Sequence, residues 1–581
     1  MNVSDKYTSS DRQRLVFIGL MLSFVAIMLI WRAVDLHVVS KDFLKTQGDA
    51  RYLREVSEPA DRGMILDRNG EPLAISTPVL SVWANPKELV KARDEWVRLC
   101  VVLNLDINEL QQQLADYASK EFVYLKRHVI PEIAQRVTDL NIPGVFLKRE
   151  YRRYYPAGEV MAHVVGFTNI DDVGQEGVEL ALDDKLRGTP GSMRVIKDRL
   201  GRVVEEVEQV SLPRPGEDVV LTIDRRIQYL AYRELKSAVA RNHADAGSVV
   251  ILDATNGEIL AMANQPSYNP NSRNNLQLDG LRNRAITDVF EPGSTVKPFT
   301  VAAALESGKY NPHTIVDTSP GYYRVGHKVI RDFRNYGAID VETVIQKSSN
   351  VGATKLALSI EPKTMWKIFS GAGFGETTGV SFPGESTGLL SDHYSWRDIE
   401  RASLSFGYGL SVTPLQLARA YTIFSNDGSL KLVSLLRNAN QAKDYSLYYR
   451  SEPVLHPQTV RQVRHMMEKV TENGGTGMHA QVQGYRIAGK TGTVKKSGAG
   501  GYVDDSYIAV FAGMAPASNP KLIMVVMIDE PRGEAYYGGE VAAPVFSNVM
   551  TGALRILDIP PDALPEKNSS HVAMLGLDSV Q

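Results

Sequence analysis

An uncharged apolar run near the amino terminus limits how this chain can fold. The run is LVFIGLMLSFVAIMLIW, residues 15–31, and its 17 residues would form a helix about 25 Å long. That length is close to the ~30 Å hydrocarbon core of a bilayer, with Arg14 and Arg32 placed to reach the two interfaces. The sequence after the run offers no small-residue cleavage site of a signal peptide. The run therefore predicts an uncleaved membrane anchor, with a buried helix of a soluble protein as the alternative.

The predicted anchor, residues 15–37, separates a short stub, residues 1–14, from more than 500 residues that follow it. The positive-inside rule does not orient this anchor, because three basic residues stand near it on each side: Lys6, Arg12 and Arg14 before it, and Arg32, Lys41 and Lys45 after it. The side of the membrane on which the large body lies must therefore be deduced from function.

Composition excludes several classes of protein. The 65 basic and 67 acidic residues give a net charge of −2, so no overall positive field favours nucleic acid. The single cysteine, Cys100, lies in the apolar run LCVVLNL, which indicates a small buried side chain and excludes a disulfide-stapled scaffold. At 581 residues the chain is long enough for two or more domains.

A proline-rich linker divides the body into two modules. The segment EVEQVSLPRPGED, residues 206–218, combines two prolines, a glycine and mixed charge, which is typical of a domain boundary. The first module, residues 38–215, begins with strand and turn patterns, and its stretch 86–140 has the apolar spacing of helices. The second module covers residues 216–557, and a polar, proline-bearing tail, residues 558–581, is expected to be mobile.

Both ends of the second module carry strand patterns. AGSVVILDATNGEILAMANQ predicts a hairpin, and RIAGKTGTV, YIAVFAGMAP and KLIMVVMIDE predict three more strands. Residues 302–425, which lie between, have largely helical spacing. Strands at both ends with helices between them predict an α+β fold, in which a five-stranded antiparallel sheet is flanked by helices.

Two Ser-x-x-Lys pairs occur in the chain, and only one is placed for chemistry. In EPGSTVKPFT, Ser294 follows a Pro-Gly turn and Lys297 stands one turn along the predicted helix VKPFTVAAALESG, so the two side chains would share a face. In ASNPK, Ser518 and Lys521 fall in a turn between two strands, which indicates an accidental match. A helix-capping serine remains the structural alternative for Ser294.

Two further motifs follow in order, Ser348-Ser349-Asn350 and Lys490-Thr491-Gly492-Thr493. Together with Ser294 and Lys297 they match the three elements of serine enzymes that react with penicillin. Each motif alone is weak evidence, whereas the ordered set on a helix, a loop and a strand is specific.

Elementary chemistry explains these residue types. Ser294 attacks only after a base removes its proton, and Lys297 can be that base only when it is neutral. A free lysine has a pKa near ~10.4, so burial and the positive charge of Lys490 must lower the pKa of Lys297. Ser348 would relay a proton to the leaving group, and Asn350 would orient Lys297.

The lysine-threonine motif would bind substrate beside the serine. The backbone N–H groups of Ser294 and Thr493 would stabilise the oxyanion, Gly492 would let the substrate lie against the strand, and Thr491 belongs to the same contact surface. None of the 11 histidines lies in a Ser-His-Asp or metal-ligand arrangement. The sequence therefore predicts a mechanism without cofactor or metal.

On these motifs the chain resembles the class B penicillin-binding proteins, in particular their division-specific branch. The resemblance extends over EPGSTVKPFT, KSSNVG, FGYGLSVTPLQLA and KTGT, and over RGMILDRNGEPLA and YYPAGEVMAHVVGFTN of the first module. It implies a cytoplasmic stub at 1–14, a single inner-membrane anchor at 15–37, an elongated pedestal or dimerisation domain at 38–215, and a periplasmic transpeptidase domain at 216–557.

The resemblance also implies a substrate and partners. Ser294 would accept the donor stem peptide of peptidoglycan as an acyl-enzyme and pass it to an amine of a neighbouring stem during septum formation, and β-lactams would be trapped at the same serine. An aromatic wall would flank the site at Tyr408, Tyr507, Tyr536 and Tyr537. The implied partners are divisome proteins, including a lipid II-polymerising glycosyltransferase, with no role for nucleic acid.

Three alternatives share part of this pattern. A membrane-anchored β-lactamase or a penicillin sensor has the same motifs, but a β-lactamase needs a base for water, and the long first module is unnecessary for a hydrolase. A noncatalytic divisome scaffold does not require intact motifs. The elongation-specific class B enzymes share the mechanism, and the overall motif context favours division over elongation.

Overall fold

The computed structural model describes residues 9–44, 53–197, 203–272, 278–425, 427–437, 453–498 and 501–563. The chain forms two compact units, each assembled from three stretches. The first unit comprises Met1–Asp61, Pro78–Tyr151 and Gly188–Pro215, and the second comprises Arg62–Thr77, Arg152–Arg187 and Gly216–Gln581. Residues 1–8 of the predicted stub and residues 564–581 of the predicted tail lie outside the described residues.

The amino-terminal apolar run forms a long helix, Ser9–Val34, which continues into a π-helical turn at Asp35–Val39. The stretch Arg12–Val39 is long and apolar enough to cross a membrane, and none of its most apolar window is buried inside the protein. A core helix of a soluble protein would bury one face. The exposed apolar helix therefore fits a single-pass membrane anchor.

The described part of the first unit includes the short helices Pro86–Leu89, Trp96–Leu103, Ile107–Asp116 and Pro131–Leu140. The prediction that 86–140 is helical is wrong for Val123–Val129, a strand that pairs antiparallel with residues 80–84. Val123 and Leu125 are buried on one side of this strand, so its apolar residues follow the period of two that a half-buried strand requires. A separate antiparallel sheet has the strand order Leu53–Glu58, Gly191–Lys197, Val203–Ser211.

Within the second unit, a buried ion-pair network ties the early segments together. The strand Ile65–Leu66 pairs in parallel with Val219–Val220. Arg62 Nε lies 2.7 Å from Glu179 Oε2, and Arg153 Nε lies 2.6 Å from the other oxygen of the same carboxylate. Arg62 also pairs with Asp183 at 2.7 Å, so the two guanidinium groups face two carboxylates and these residues have a structural role.

The second unit is built on the predicted five-stranded antiparallel sheet, which the structure confirms. Its strands in chain order are β1 Ala246–Asp253, β2 Ile259–Gln265, β3 Ala488–Gly498, β4 Gly501–Ala515 and β5 Leu522–Asp529. They lie in the order β2-β1-β5-β4-β3, and every neighbouring pair is antiparallel. Strand β3, which carries the lysine-threonine motif, is therefore an edge strand.

Helices cover both faces of this sheet. In β5, Met524 and Val526 point into one apolar core, whereas Ile523 and Val525 point into the other, as alternation along a strand requires. The longer helices are α1 Arg225–Arg241, α2 Lys297–Glu306, α3 Asn350–Ser359, α4 Asp398–Leu404, α5 Pro414–Ser425, α6 Pro457–Thr471 and α7 Ala543–Ile556. Helices α1 and α7 pack on one face, and α2 and α5 pack on the other, where the serine motif lies.

Short elements complete the second unit. Two small antiparallel ladders pair Ile315–Asp317 with Ala338–Asp340 and Tyr322–Val325 with Lys328–Arg331. Short helices occur at Ala162–Val165, Gly177–Ala181, Asp183–Leu186, Arg284–Thr287, Val341–Gln346 and Gly538–Val541, and a further ten-residue helix lies at Pro362–Gly371. At the described start of the predicted tail, the Asp562 carboxylate accepts hydrogen bonds from the backbone N–H groups of Arg486 and Ser518.

Candidate active site

The serine motif forms a 3₁₀ turn, Gly293–Val296, that runs directly into α2 at Lys297. Pro292 caps the turn and Val296 caps the helix, so Ser294 is not a capping residue and that alternative fails. Its neighbour Thr295 is buried, and the Thr295 carbonyl accepts a hydrogen bond from Tyr421 Oη at 2.8 Å. This hydrogen bond fixes the buried side of the turn, and the half-buried Ser294 side chain lies at the surface of the site.

Two glycines allow a second segment to support this turn. Gly293 has φ +54°, and its N–H donates to the Gly407 carbonyl at 3.1 Å. A Cβ on Gly407 would lie 2.0 Å from the Gly293 carbonyl oxygen, which is far inside van der Waals contact. The FGYG segment can therefore pack on the serine turn only because residue 407 has no side chain.

Lys297 is fully buried at the start of α2. Its Nζ donates to the Ser348 carbonyl, to Ser348 Oγ at 3.1 Å and to Asn350 Oδ1 at 2.8 Å. Among the described residues, no hydrogen bond joins Lys297 Nζ to Ser294 Oγ. The structure thus brings the lysine to the second motif.

The second motif is a strained loop that a carboxylate holds in place. Ser348 has φ +57°, a left-handed conformation that is uncommon for serine. Asp332 accepts hydrogen bonds from the backbone N–H groups of Asn350 and Val351 and from Ser349 Oγ at 2.6 Å. Asp332 therefore holds the start of α3 and the loop that presents Ser348 to the two motif lysines.

Lys490 enters the site from the edge strand β3. It is fully buried, and its Nζ donates to Ser348 Oγ at 2.9 Å and to the Thr491 carbonyl at 3.1 Å. The Ser348 hydroxyl oxygen thus accepts from Lys490 and from Lys297 at once. Ser348 Oγ therefore lies within hydrogen-bond distance of both lysine nitrogens, where its hydroxyl can pass a proton between them.

Burial controls the protonation of both lysines. It lowers the pKa of Lys297 well below its usual range, the positive charge of Lys490 lowers that pKa further, and Asp332 opposes the shift. Burial also lowers the pKa of Lys490, to about 7. A neutral Lys297, which is the form that can act as a base, is therefore accessible near neutral pH.

The remaining motif residues lie along β3. Thr491 Oγ1 is 2.7 Å from Thr476 Oγ1, and Thr493 Oγ1 accepts from the Gly538 N–H at 2.9 Å. A Cβ on Gly492 would lie 3.0 Å from Thr295 Cγ2 and 3.1 Å from the Pro292 carbonyl oxygen. Packing beneath the serine turn is thus one reason for glycine at 492, and its predicted role in admitting substrate stays a prediction.

The four predicted wall tyrosines fall into two groups. Tyr507 and Tyr536 stack with ring centroids 4.4 Å apart, and Tyr536 stacks on Tyr537 at the same distance. Tyr408 instead makes an edge contact with Tyr502, at 5.5 Å.

Three residues near the site escaped the sequence reasoning: Glu291, Asp332 and Tyr502. Glu291 Oε1 accepts from the Gly409 N–H at 2.7 Å and from Tyr502 Oη at 3.3 Å, and its place directly before Pro292 was the available signal. Asp332 stands 16 residues before Ser348 and Tyr502 stands nine residues after Thr493, and no spacing rule links either to the site.

The accidental Ser-x-x-Lys pair has no comparable setting. Ser518 lies between β4 and β5, and its backbone N–H donates to Asp562 Oδ2 at 3.0 Å. Across the described stretches of the chain, no group of three or more His, Cys, Asp or Glu residues is arranged to hold a metal ion.

Comparison with known proteins agrees with this geometry. The family model "Penicillin binding protein transpeptidase domain" matches residues 247–551, and "Penicillin-binding Protein dimerisation domain" matches residues 57–221. The chain is 45% identical over 541 residues to peptidoglycan D,D-transpeptidase FtsI of Escherichia coli K12, covering 92% of this chain and 90% of the relative. It is 42% identical over 562 residues to the probable peptidoglycan D,D-transpeptidase PbpC of Pseudomonas aeruginosa, covering 96% and 98%.

Solved structures show the same likeness. The transpeptidase domain of penicillin-binding protein 3 from Burkholderia pseudomallei is 41% identical and covers 59% of this chain and 98% of its own, with a TM-score of 0.53. Penicillin-binding protein 3 from Mycobacterium tuberculosis, complexed with aztreonam, is 28% identical and covers 87% and 98%, with a TM-score of 0.66.

Proposed function

The chain belongs to the penicillin-binding protein transpeptidases, and from this premise we propose that it cross-links the stem peptides of septal peptidoglycan during cell division through an acyl-enzyme on Ser294. The observation that carries the proposal is the meeting of two fully buried lysines at one hydroxyl, Ser348 Oγ. A buried amine favours its neutral form, and neutral Lys297 is the base that a serine nucleophile needs.

In the acylation step, Lys297 takes the proton of Ser294 while Oγ attacks the carbonyl of the penultimate D-Ala of the donor stem. The backbone N–H groups of Ser294 and Thr493 stabilise the oxyanion. Lys490 and Ser348 pass a proton to the departing amine, and the terminal D-Ala leaves.

In the transfer step, an amine of a neighbouring stem attacks the acyl-enzyme. The ester bond to Ser294 breaks, an amide bond forms, and the lysine and serine groups return a proton to Ser294 Oγ. A β-lactam acylates the same serine, but its leaving nitrogen stays tethered, so the acceptor does not readily displace it. β-Lactams are therefore covalent inhibitors of this site.

The arrangement along the membrane is part of the proposal. We assign residues 1–14 to a cytoplasmic stub, 15–37 to the anchor, 38–215 to the pedestal and 216–557 to a periplasmic transpeptidase domain. Periplasmic placement is supported by the substrate, since stem peptides are cross-linked outside the inner membrane. Divisome proteins, including a lipid II-polymerising glycosyltransferase, are proposed to bind the anchor and pedestal.

A donor peptide ending in D-Ala-D-Ala tests the activity directly. With a second stem as acceptor, the full-length protein is expected to release D-Ala and form a cross-linked product, and Ser294→Ala is expected to form neither. Incubation with a cephalosporin is expected to consume about one equivalent. Rapid consumption of many equivalents would show a β-lactamase instead.

A further inference from the structure

A small hairpin beside the catalytic loop has two contrasting faces. Its strands, Tyr322–Val325 and Lys328–Arg331, pair antiparallel, and we call residues 321–334 the basic hairpin. On the inner face, Val325 and Ile330 are buried against Ala402 of α4. On the outer face, Tyr322 lies directly opposite Arg331, and both side chains are exposed. The hairpin is thus fixed to the body by one side and open to solvent on the other.

The basic hairpin carries an excess of positive charge in a chain whose net charge is −2. It has four cations and one carboxylate: Arg324, Lys328, Arg331, Arg334 and Asp332. The carboxylate is occupied by the loop at Ser349 and Asn350. Within the described chain, none of the four cations forms a salt bridge, and Arg331 instead stands 5.5 Å from the ring centre of Tyr322. Arg324 and Arg331 lie on the outer face, whereas Lys328 stands opposite Val325 on the other face. The outer face therefore offers the unneutralised positive charge of its arginines.

The next residues extend this face. Phe333 is 86% exposed, and the Arg334 guanidinium lies 5.4 Å from the ring centre of Tyr336. An exposed aromatic ring between two arginines can contact the apolar part of a bound chain while the arginines bind its anionic groups.

The basic hairpin is hydrogen-bonded to Asn350, and Asn350 contacts the proposed catalytic base, Lys297. The Arg331 carbonyl accepts from Asn350 Nδ2 at 3.0 Å, and Asn350 Oδ1 accepts from Lys297 Nζ at 2.8 Å. A molecule that lies along the Ser348 and Asn350 loop therefore continues onto the outer face of the hairpin.

The acceptor is the molecule that must lie there, given the proposed function on which this inference rests. The incoming amine occupies the place that the leaving amine vacates, because acylation and transfer run through the same kind of intermediate in opposite directions. In the proposed mechanism that place is beside Ser348. The rest of the acceptor then extends over the surface next to the Ser348 and Asn350 loop.

We propose that the basic hairpin is the acceptor subsite and that it binds a carboxylate of the incoming chain, so that the enzyme selects an amine carried by an acidic peptide. The amine nitrogen attacks the acyl carbon, and the bond from that carbon to Ser294 Oγ breaks. The amine gives one proton to the lysine and serine groups, which return one proton to Ser294 Oγ. Atoms and charge balance without a further reactant.

The test compares two acceptors of nearly equal size on the full-length, detergent-solubilised protein. A D-alanyl thioester peptide acylates the serine and releases a thiol, and the acceptors are Gly-Glu-Glu-amide and the neutral Gly-Gln-Gln-amide. We expect the wild type to transfer to the acidic peptide about tenfold more efficiently, because charge-assisted contacts favour the carboxylates. Equal transfer to the two peptides would overturn the proposal.

The variant Arg331→Gln/Arg334→Gln is expected to lose this preference while its thiol release and penicillin labelling stay within about twofold of wild type. Arg233→Gln on α1, which packs on the opposite face of the sheet, is the control and should keep the preference. A preference that survives in the double variant, or thiol release that fails only in that variant, would contradict an acceptor role. Absence of thiol release from the wild type would instead overturn the proposed function, and this inference with it.

Discussion

At the residue scale, the site depends on two lysines that are buried without a hydrogen-bonded carboxylate. Lys297 donates to the Ser348 carbonyl, Ser348 Oγ and Asn350 Oδ1, and Lys490 donates to Ser348 Oγ and the Thr491 carbonyl. All of these acceptors are neutral oxygens. A buried ammonium group with only neutral partners is costly, so the fold favours the neutral amine that catalysis requires.

Removing the charge of Lys490 should move the pH dependence of acylation. In Lys490→Met the repulsion that lowers the pKa of Lys297 is gone, so that pKa rises and the increase of acylation rate with pH shifts to higher pH. At pH 7 the rate should fall by about a hundredfold, which is typical for loss of an acid-base group. Stopped-flow acylation by a chromogenic cephalosporin measures both effects. Lys496→Met, six residues further along β3, is the control, and a shift of the same size there would refute the explanation.

The same substitution should stabilise the fold. Lys490 has a folded pKa of about 7, below its ordinary value, so the unfolded chain binds the extra proton more tightly and the folded state is penalised as pH falls. Lys490→Met removes a penalty on the order of 4 kcal/mol at pH 7, and its melting temperature should exceed that of wild type. The difference should be largest below pH 7 and shrink as pH rises towards the pKa of free lysine. An advantage that grows with pH would contradict this account.

The motif residues could be assigned from sequence because their order and spacing encode one chemistry. Ser294, Lys297 and Lys490 could be given catalytic roles from these motifs. The burial of the two lysines and their hydrogen-bond partners required the structure. Gly492 shows the limit of this reasoning, since a glycine in a strand can admit a substrate or a neighbouring turn. Only the 3.0 Å approach to Thr295 identifies the second reason.

At the scale of elements, an edge strand, a helix start and a loop meet at the site. Strand β3 brings Lys490, α2 brings Lys297, and the loop before α3 brings Ser348. The strands were predictable from short continuous apolar runs bounded by turn signals, as strands buried on both faces require. The support of the loop by Asp332 was not predictable, because it is a contact between a hairpin and a helix start that no local pattern encodes.

Asp332→Ala should make the Ser348 and Asn350 loop less rigid. It removes acceptors for the backbone N–H groups of Asn350 and Val351, at a cost of about 1–3 kcal/mol, and Ser348 loses its fixed position between the lysines. Penicillin acylation should slow at least tenfold, an effect that calorimetry and stopped-flow labelling can separate from unfolding. Asp340→Ala is the matched control, because Asp340 also accepts a hydrogen bond at a helix start, from the Thr343 N–H of the helix Val341–Gln346. Equal slowing in both variants would show general destabilisation and not a positioning role.

At the scale of the whole molecule, the chain has two compact units and a long exposed apolar helix that fits a membrane anchor. The boundary predicted at 206–218 stays a prediction, and the apolar helix was readable from composition, because an uncharged apolar run is a local signal. The division into units was not, since residues 62–77 and 152–187 pack in the second unit although they precede the linker. Pairing between segments distant in sequence, such as Arg62 with Glu179, decides that assignment.

Deleting residues 1–44 should release the protein from the membrane without inactivating the site. The most apolar window of the anchor helix is 0% buried inside the protein, so its removal breaks no packed core. The truncated protein should appear in the soluble fraction and be labelled by fluorescent penicillin at a rate within about twofold of the full-length protein. Membrane retention of the truncated chain would show a second attachment, and loss of labelling would show that the anchor supports the site.

The central claim is that Ser294 is the nucleophile of a penicillin-sensitive transpeptidase. The most direct measurement is labelling of the full-length protein with penicillin, followed by proteolysis and mass spectrometry of the acylated peptide. The expected adduct lies on Ser294, at about one per chain, and Ser294→Ala should carry none. An adduct on Ser348 or Ser518, or continued labelling of Ser294→Ala, would contradict the account.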